Sequence, residues 1–444
     1  MKHDIIVIGS GFGGLACAHE LARQGRSVLV LEAHWQPGGC LQSYHRNGHT
    51  LDTGLHYVGG LDEGQPLHDA FGRLGLLSLD WHRLDAECFD HITLLAPGSG
   101  HERRSFRMAE GFDHFADVLA AEFPQQREAL QTYVAMLQGP DPDPSVGAWQ
   151  WLNETFSDAL LIDVLSGSCL KTELRRESLP LFAFAHSQKS FIQSSWRLRG
   201  DSSQIVRSLV GDITRMGGQV VCRAEVQQLV ERDGRIVAAR CSNGESYEGA
   251  IFVSDIHPAQ TMALVQNERL QKSIYRRRLA MLDNTAGMFT HSLVLKPGVL
   301  PYFNHNKFVY RGGSVWDERT ERVMLSCRVP EDGSAYASLL DLLSPSGADP
   351  MPLAETVIPG LRDMVSERYV STPQTWQRFT HTPGGSAYGI RKDCRQPLLT
   401  ILSPTTPIPN LLLTGQNLVL HGLEGVAMTA LQTVKAVGEA ISLT

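Results

Sequence analysis

Residues 4–33 read DIIVIGSGFGGLACAHELARQGRSVLVLEA, and the fold is decided by this stretch. Asp4 to Ile8 is a short apolar run, Gly13 to Gln24 has helical character and stops at Gly25, and Ser27 to Glu32 is a second apolar run. Together they predict a β-α-β unit. At the turn from first strand to helix, Gly9-Ser10-Gly11-Phe12-Gly13-Gly14 matches G-x-G-x-x-G. Gly9 permits a tight turn, Gly11 lets the backbone approach a pyrophosphate, and Gly14 allows close helix packing. Amides at the helix start are placed to hold the phosphates. Glu32, with Ala33 after it, ends the second strand 18 positions beyond Gly14. A carboxylate there accepts hydrogen bonds from adenosine ribose hydroxyls and disfavours a 2′-phosphate.

Such a motif serves NAD and FAD alike, and the choice between them rests on the residues beyond Glu32. Gly38-Gly39-Cys40 comes six residues after it, and two adjacent glycines let the backbone lie against an extended FAD. Further along, residues 217–255 (GGQVVCRAEVQQLVERDGRIVAARCSNGESYEGAIFVSD) form four alternating or apolar runs punctuated by Gly218, Asp233-Gly234 and Asn243-Gly244. They predict a strand followed by hairpins. Leu411 to Leu413 is another apolar strand, Gly415 lets it approach a ligand, and Gly422 to Gly425 precedes an Ala-rich helix over Val426 to Ala440. A glycine-rich helix start aims amides at an electron-rich group.

The remaining composition bounds the function. A chain of 444 residues, 42% hydrophobic, has material for more than one structural unit. A net charge of -7 and a pI near 6.2 leave no electrostatic footprint for nucleic acid. Eight cysteines without a CxxC pair read as free thiols in a reducing compartment. The first apolar run merges into the glycine motif rather than into a signal peptide, and no apolar run reaches membrane-spanning length. The expectation is therefore a cytoplasmic protein whose membrane contact, if any, is peripheral. Lys272 and Arg276 to Arg278, interleaved with Leu270, Ile274, Leu279 and Leu282, suit either a solvated helix face or an interfacial one. The histidines include no HExxH and no His/Cys cluster at ligand spacing, so no metal is expected.

Three stretches, GGCLQSY (38–44), LDTGLHYVGG (51–60) and TPIPNLLLTGQNLVLHGLEGVAMTAL (406–431), resemble the retinol 13,14-reductase (retinol saturase) and carotenoid isomerase branch of the phytoene-desaturase-like flavoproteins. GSAYGIRKD at 385–393 adds to the likeness, whereas Cys40 stands where many members carry Arg. The resemblance implies an α/β fold: a Rossmann-like FAD-binding domain of the glutathione-reductase and amine-oxidase type, with an interleaved α+β substrate domain. It places FAD binding on residues 1–75, 197–265 and 385–444, and substrate binding on 76–196 and 266–384. It also implies that Gly415, Gln416, Leu423, Glu424 and Gly425 contact the flavin and that Val226 meets the adenine.

Flavin chemistry on a double bond needs a substrate carbon held at the flavin and a proton donor for the other carbon. His56 and Tyr57 are the first candidates for catalysis, since the family pattern brings their loop to the flavin; His421 and Glu424 come next, with Glu424 also suited to capping its helix. Residues 178–196, SLPLFAFAHSQKSFIQSSW, suit the lining of an apolar tunnel or ordinary core. No second G-x-G-x-x-G comes after a strand, so electrons arrive or leave directly at the flavin, with donor or acceptor unidentified. The expected activity is saturation, desaturation or isomerisation of an apolar conjugated polyene or isoprenoid. Amine or protoporphyrinogen oxidation is the enzymatic alternative. The non-enzymatic one is a prenyl-binding escort protein, against which the intact glycines and Glu32 count.

Overall fold

Strand Lys2–Ile8 is the centre of the first sheet because both its faces are covered: Ile5 to Val7 are fully buried, as parallel strands require. It pairs in parallel with Val28–Leu31 on one side and Ser246–Ser254 on the other. Gln219–Val221 extends one edge, and the hairpin of Val226–Arg232 with Arg235–Cys241 extends the other. Asp233 and Gly234 turn that hairpin at φ +52° and +79°, the left-handed pair a type I′ turn demands. The long strand Ser246–Ser254 changes partner midway: residues 246–248 pair with Arg235–Cys241, and Phe252 to Ser254 pair in parallel with Leu411–Leu413. A strand near the C-terminus is thereby set beside the N-terminal glycine turn. Helix Phe12–Arg23 crosses from the first strand to the second, as expected, and its core side chains pack with those of helices Ser203–Arg215 and Gly422–Ser442.

The computed structural model describes residues 2–96, 103–267, 269–270 and 273–442; Lys272 of the basic stretch lies outside them. A second seven-stranded sheet uses segments 90–108 and 289–371, antiparallel except where Asn306–Arg311 runs parallel to Asp90–Leu95. Its neighbouring helices, among them Phe112–Glu122, Arg127–Gln138 and Leu181–Gln193, share an aromatic core containing Phe115, Tyr133, Phe184 and Trp316. In a small third sheet Ser195–Leu198 pairs with both Val58–Gly59 and Trp81–Arg83. Among the described residues no helix is long and apolar enough to cross a membrane.

Candidate active site

The glycine turn is built from contacts that no side chain would allow. Gly9 has φ +92°. A Cβ on Gly14 would collide with the Gly9 carbonyl, one on Gly13 would lie 2.8 Å from the Gly415 Cα, and one on Gly11 would lie 2.5 Å from Asp255 Oδ2. Gly39 backs onto the Gly11 Cα, so the second glycine pair stacks on the first. Phe12 lies at the helix start, and Gly11 supplies no side-chain cap. Orphan amides there are thus available to an anion.

Glu32 anchors the other end. Its Oε2 accepts from the Ser10 amide at 3.0 Å and from the Ser10 hydroxyl, and its Oε1 accepts from the His34 amide at 2.7 Å. The Gly38 amide in turn donates to the Ser10 hydroxyl at 3.2 Å. A carboxylate has about four acceptor sites, and Glu32, with Ala33 and Val226, lines a cavity of about 780 Å³ that also includes Cys40. A glycine cradle, a helix start whose N-cap residue offers no side chain and a carboxylate with spare acceptor capacity fit the diphosphate and ribose of FAD.

The cavity continues past the cradle. Gln416, Leu423, Glu424 and Gly425 border it from the C-terminal segment, where Gly415 (φ +89°) and Gly422 (φ +75°) make the turns. Opposite, one face of helix Leu181–Gln193 contributes Ala183, His186, Ser187, Ser190 and Phe191, a spacing of three and four residues. The helix's Phe182 and Phe184 are buried in the core, so residues 178–196 serve both expected uses. Met288, Met324, Leu343 and Leu420 complete an apolar wall.

His56 and Tyr57 also reach this cavity, but their polar groups engage the interior. The Tyr57 hydroxyl donates to Asp90 at 2.9 Å, and Asp90 is paired with Lys171 at 3.1 Å and accepts from Asn306 at 2.9 Å. Arg197 joins this network, donating to Asn306 at 2.7 Å and to the His56 carbonyl at 3.3 Å. His56 Nδ1 lies 3.9 Å from Asp341; burial lowers its imidazole pKa to about 4, so the ring is neutral at pH 7. His421 is likewise lowered to about 4 by burial, donates Nε2–H to the Lys171 carbonyl at 2.6 Å and lies against Tyr388, the rings tilted with centroids 4.5 Å apart. Glu424 turns toward Ser190 and His186, with its carboxyl pKa raised by burial.

Sequence reading missed several of these groups. Asp255, at the end of strand Ser246–Ser254, lies between Gly11, Gly13 and Gly415; its carboxyl pKa is raised to about 7, chiefly by burial, against the Gly14 amide that donates to it. The signal was present as the acidic residue ending the run AIFVS, on the strand parallel to the first. Lys171 and Asp90 carried none, because they meet only in three dimensions.

A model of NAD(P)-binding Rossmann-like domains matches residues 7–74. The human protein named all-trans-retinol 13,14-reductase is 26% identical, the match covering 98% of this chain and 85% of that protein. Prolycopene isomerase 1, chloroplastic, of an Oncidium hybrid cultivar is 22% identical over 94% and 80% of the two. The chain is an FAD-dependent oxidoreductase. The enzyme's fold is also that of a putrescine oxidase solved with putrescine, at a TM-score of 0.70, 16% identity and coverage of 100% and 99%.

Proposed function

We propose that the enzyme acts on carbon–carbon double bonds of an apolar conjugated polyene, in the manner of the retinol reductases and prolycopene isomerases it resembles end to end. One observation carries this reading: the dinucleotide cradle opens directly onto an apolar wall formed by Ala183 and Phe191 of helix Leu181–Gln193 and by Met288, Met324, Leu343 and Leu420. When bound, FAD supplies two-electron chemistry at its flavin ring. The protein's own contribution is to hold the dinucleotide through Gly11, Glu32 and Gly39, to exclude water with the apolar wall, and to keep Phe191 and Met324 against the ligand.

Entry from a lipid surface suits such a substrate. Ile274 and Met281 are 74% and 79% exposed, Leu398 is 87% exposed, and Arg278 ties the two segments by donating to the Leu398 and Leu399 carbonyls. Apolar tips beside Arg277 and Arg278 match an anionic membrane face.

The test is to incubate FAD-loaded protein anaerobically, with and without prior reduction, with all-trans-retinol, prolycopene and putrescine, and to resolve products by chromatography and mass spectrometry. Expected is a polyene gaining or losing two hydrogens or changing geometry. Oxidation of the amine with untouched polyenes would place the enzyme with the amine oxidases.

A further inference from the structure

Beside the cavity, three ionisable side chains lie in a row from solvent to the cavity wall. Asp141 is exposed, and its Oδ1 lies 3.0 Å from His186 Nε2. The other ring nitrogen of His186, Nδ1, lies 4.0 Å from Glu424 Oε1, a gap that one water or a small rotation closes. Both His186 and Glu424 line the cavity, and their side chains are only 16% exposed. Glu424 is held by the Ser190 hydroxyl, with Lys189 the nearby cation and Asp141 the nearby anion. A carboxyl placed merely to cap its helix would be turned to the helix's own amides; this one faces helix Leu181–Gln193.

We infer that Asp141, His186 and Glu424 form a proton path between solvent and the substrate cavity, with Glu424 as the group that gives or takes the proton at the ligand. This deepens the polyene reading and rests on it for the identity of the ligand. One proton moves at each step. The Glu424 carboxyl releases a proton to the ligand; the carboxylate takes the proton on Nδ1 of His186 while Nε2, on the Asp141 side, takes one delivered from water, and the ring returns to its starting tautomer before the next transfer. No electron moves along the path. Burial raises the pKa of Glu424 while His186 lowers it, so the carboxyl retains a proton further toward neutrality than an exposed glutamate and remains in reach of release. His56 is neutral, its carbonyl accepts from Arg197 and its Nδ1 lies 3.9 Å from Asp341.

The test uses infrared difference spectroscopy of the FAD-bound protein, tracking the C=O stretch of a protonated carboxylic acid against pH and after transfer to D2O. The wild type shows such a band, titrating above the range of an exposed glutamate. Glu424→Gln removes it, and Glu424→Asp restores one. His186→Phe keeps the band, moves its midpoint to higher pH by removing the ring that lowers it, and slows its exchange with D2O by about tenfold or more, the loss of one proton-transfer group. A difference spectrum of wild type minus Glu424→Gln that shows no loss at the carboxylic-acid stretch, which the buried Asp255 carboxyl leaves unaffected because it is present in both, or exchange that is unchanged in His186→Phe, overturns the path. These measurements need no substrate, so their failure is distinct from failure to convert a polyene. In turnover, Glu424→Gln with flavin retained is expected to lose about 10²- to 10⁴-fold, with Asp141→Asn losing less. Full turnover by Glu424→Gln with an unaltered pH profile would equally overturn it.

Discussion

Among single residues, those of the cofactor site make the sharpest demands. Gly11→Val puts carbon where Asp255 Oδ2 already stands, so the purified variant is expected to lack flavin colour although the rest of its core is untouched. Glu32→Ala removes only hydrogen bonds to a charged acceptor, about 1–3 kcal/mol, and a titration of apoprotein with FAD should show affinity reduced roughly 5- to 150-fold. His56→Phe should retain flavin and slow turnover less than Glu424→Gln does, because the imidazole is already neutral. Asp255 gives a pH signature. Its folded pKa, about 7, lies above the unfolded value of a carboxyl, so between roughly pH 4 and pH 7 the folded state binds more protons and stability falls as pH rises. Asn at 255 keeps an acceptor for the Gly14 amide and has no charge to acquire. Thermal unfolding of apoprotein should therefore show Asp255→Asn gaining on the wild type between about pH 5 and pH 8; an advantage independent of pH would discount the buried carboxyl.

Secondary-structure elements differ in how openly the sequence announces them. The β-α-β unit, the hairpins and strand Leu411–Leu413 were legible because each depends on local signals: apolar runs, an Asp-Gly turn, glycines at positive φ. The C-terminal helix begins at Gly422, earlier than the Ala-rich stretch alone suggests. The dinucleotide end of the site was legible for the same reason, since the motif's glycines act through their own backbone. The polar interior was not. Asp90, Lys171, Asn306 and Arg197 come from distant segments and become a network only when the second sheet forms. Helix Ser273–Ala280 carries a prediction of its own, as the element proposed to meet a lipid surface. Wild type should cosediment with anionic vesicles, less so at high salt, and Ile274→Glu with Leu398→Glu should remain in the supernatant while keeping FAD. Equal sedimentation of wild type and variant would exclude that surface as a lipid contact.

For the whole molecule, what matters is that two sheets with separate cores share one cavity. The first sheet brings distant segments together, so that residues 9–13 and 420–425 border the same space. Helix Leu181–Gln193, packed into the other core, presents its opposite face to that space. On the proposed function labour is divided accordingly: one unit holds a dinucleotide, the other gives an apolar ligand its surroundings, and the chemistry takes place at the cavity that both line. The most direct measurement is to mix anaerobic FAD-loaded enzyme, oxidised or reduced, with a conjugated polyene and to record flavin and polyene absorption together. Action on polyenes predicts a change in the polyene spectrum, with or without a net change in the flavin, that is absent in Gly11→Val. A polyene spectrum unaltered by either redox state, while putrescine bleaches the oxidised flavin, would contradict it.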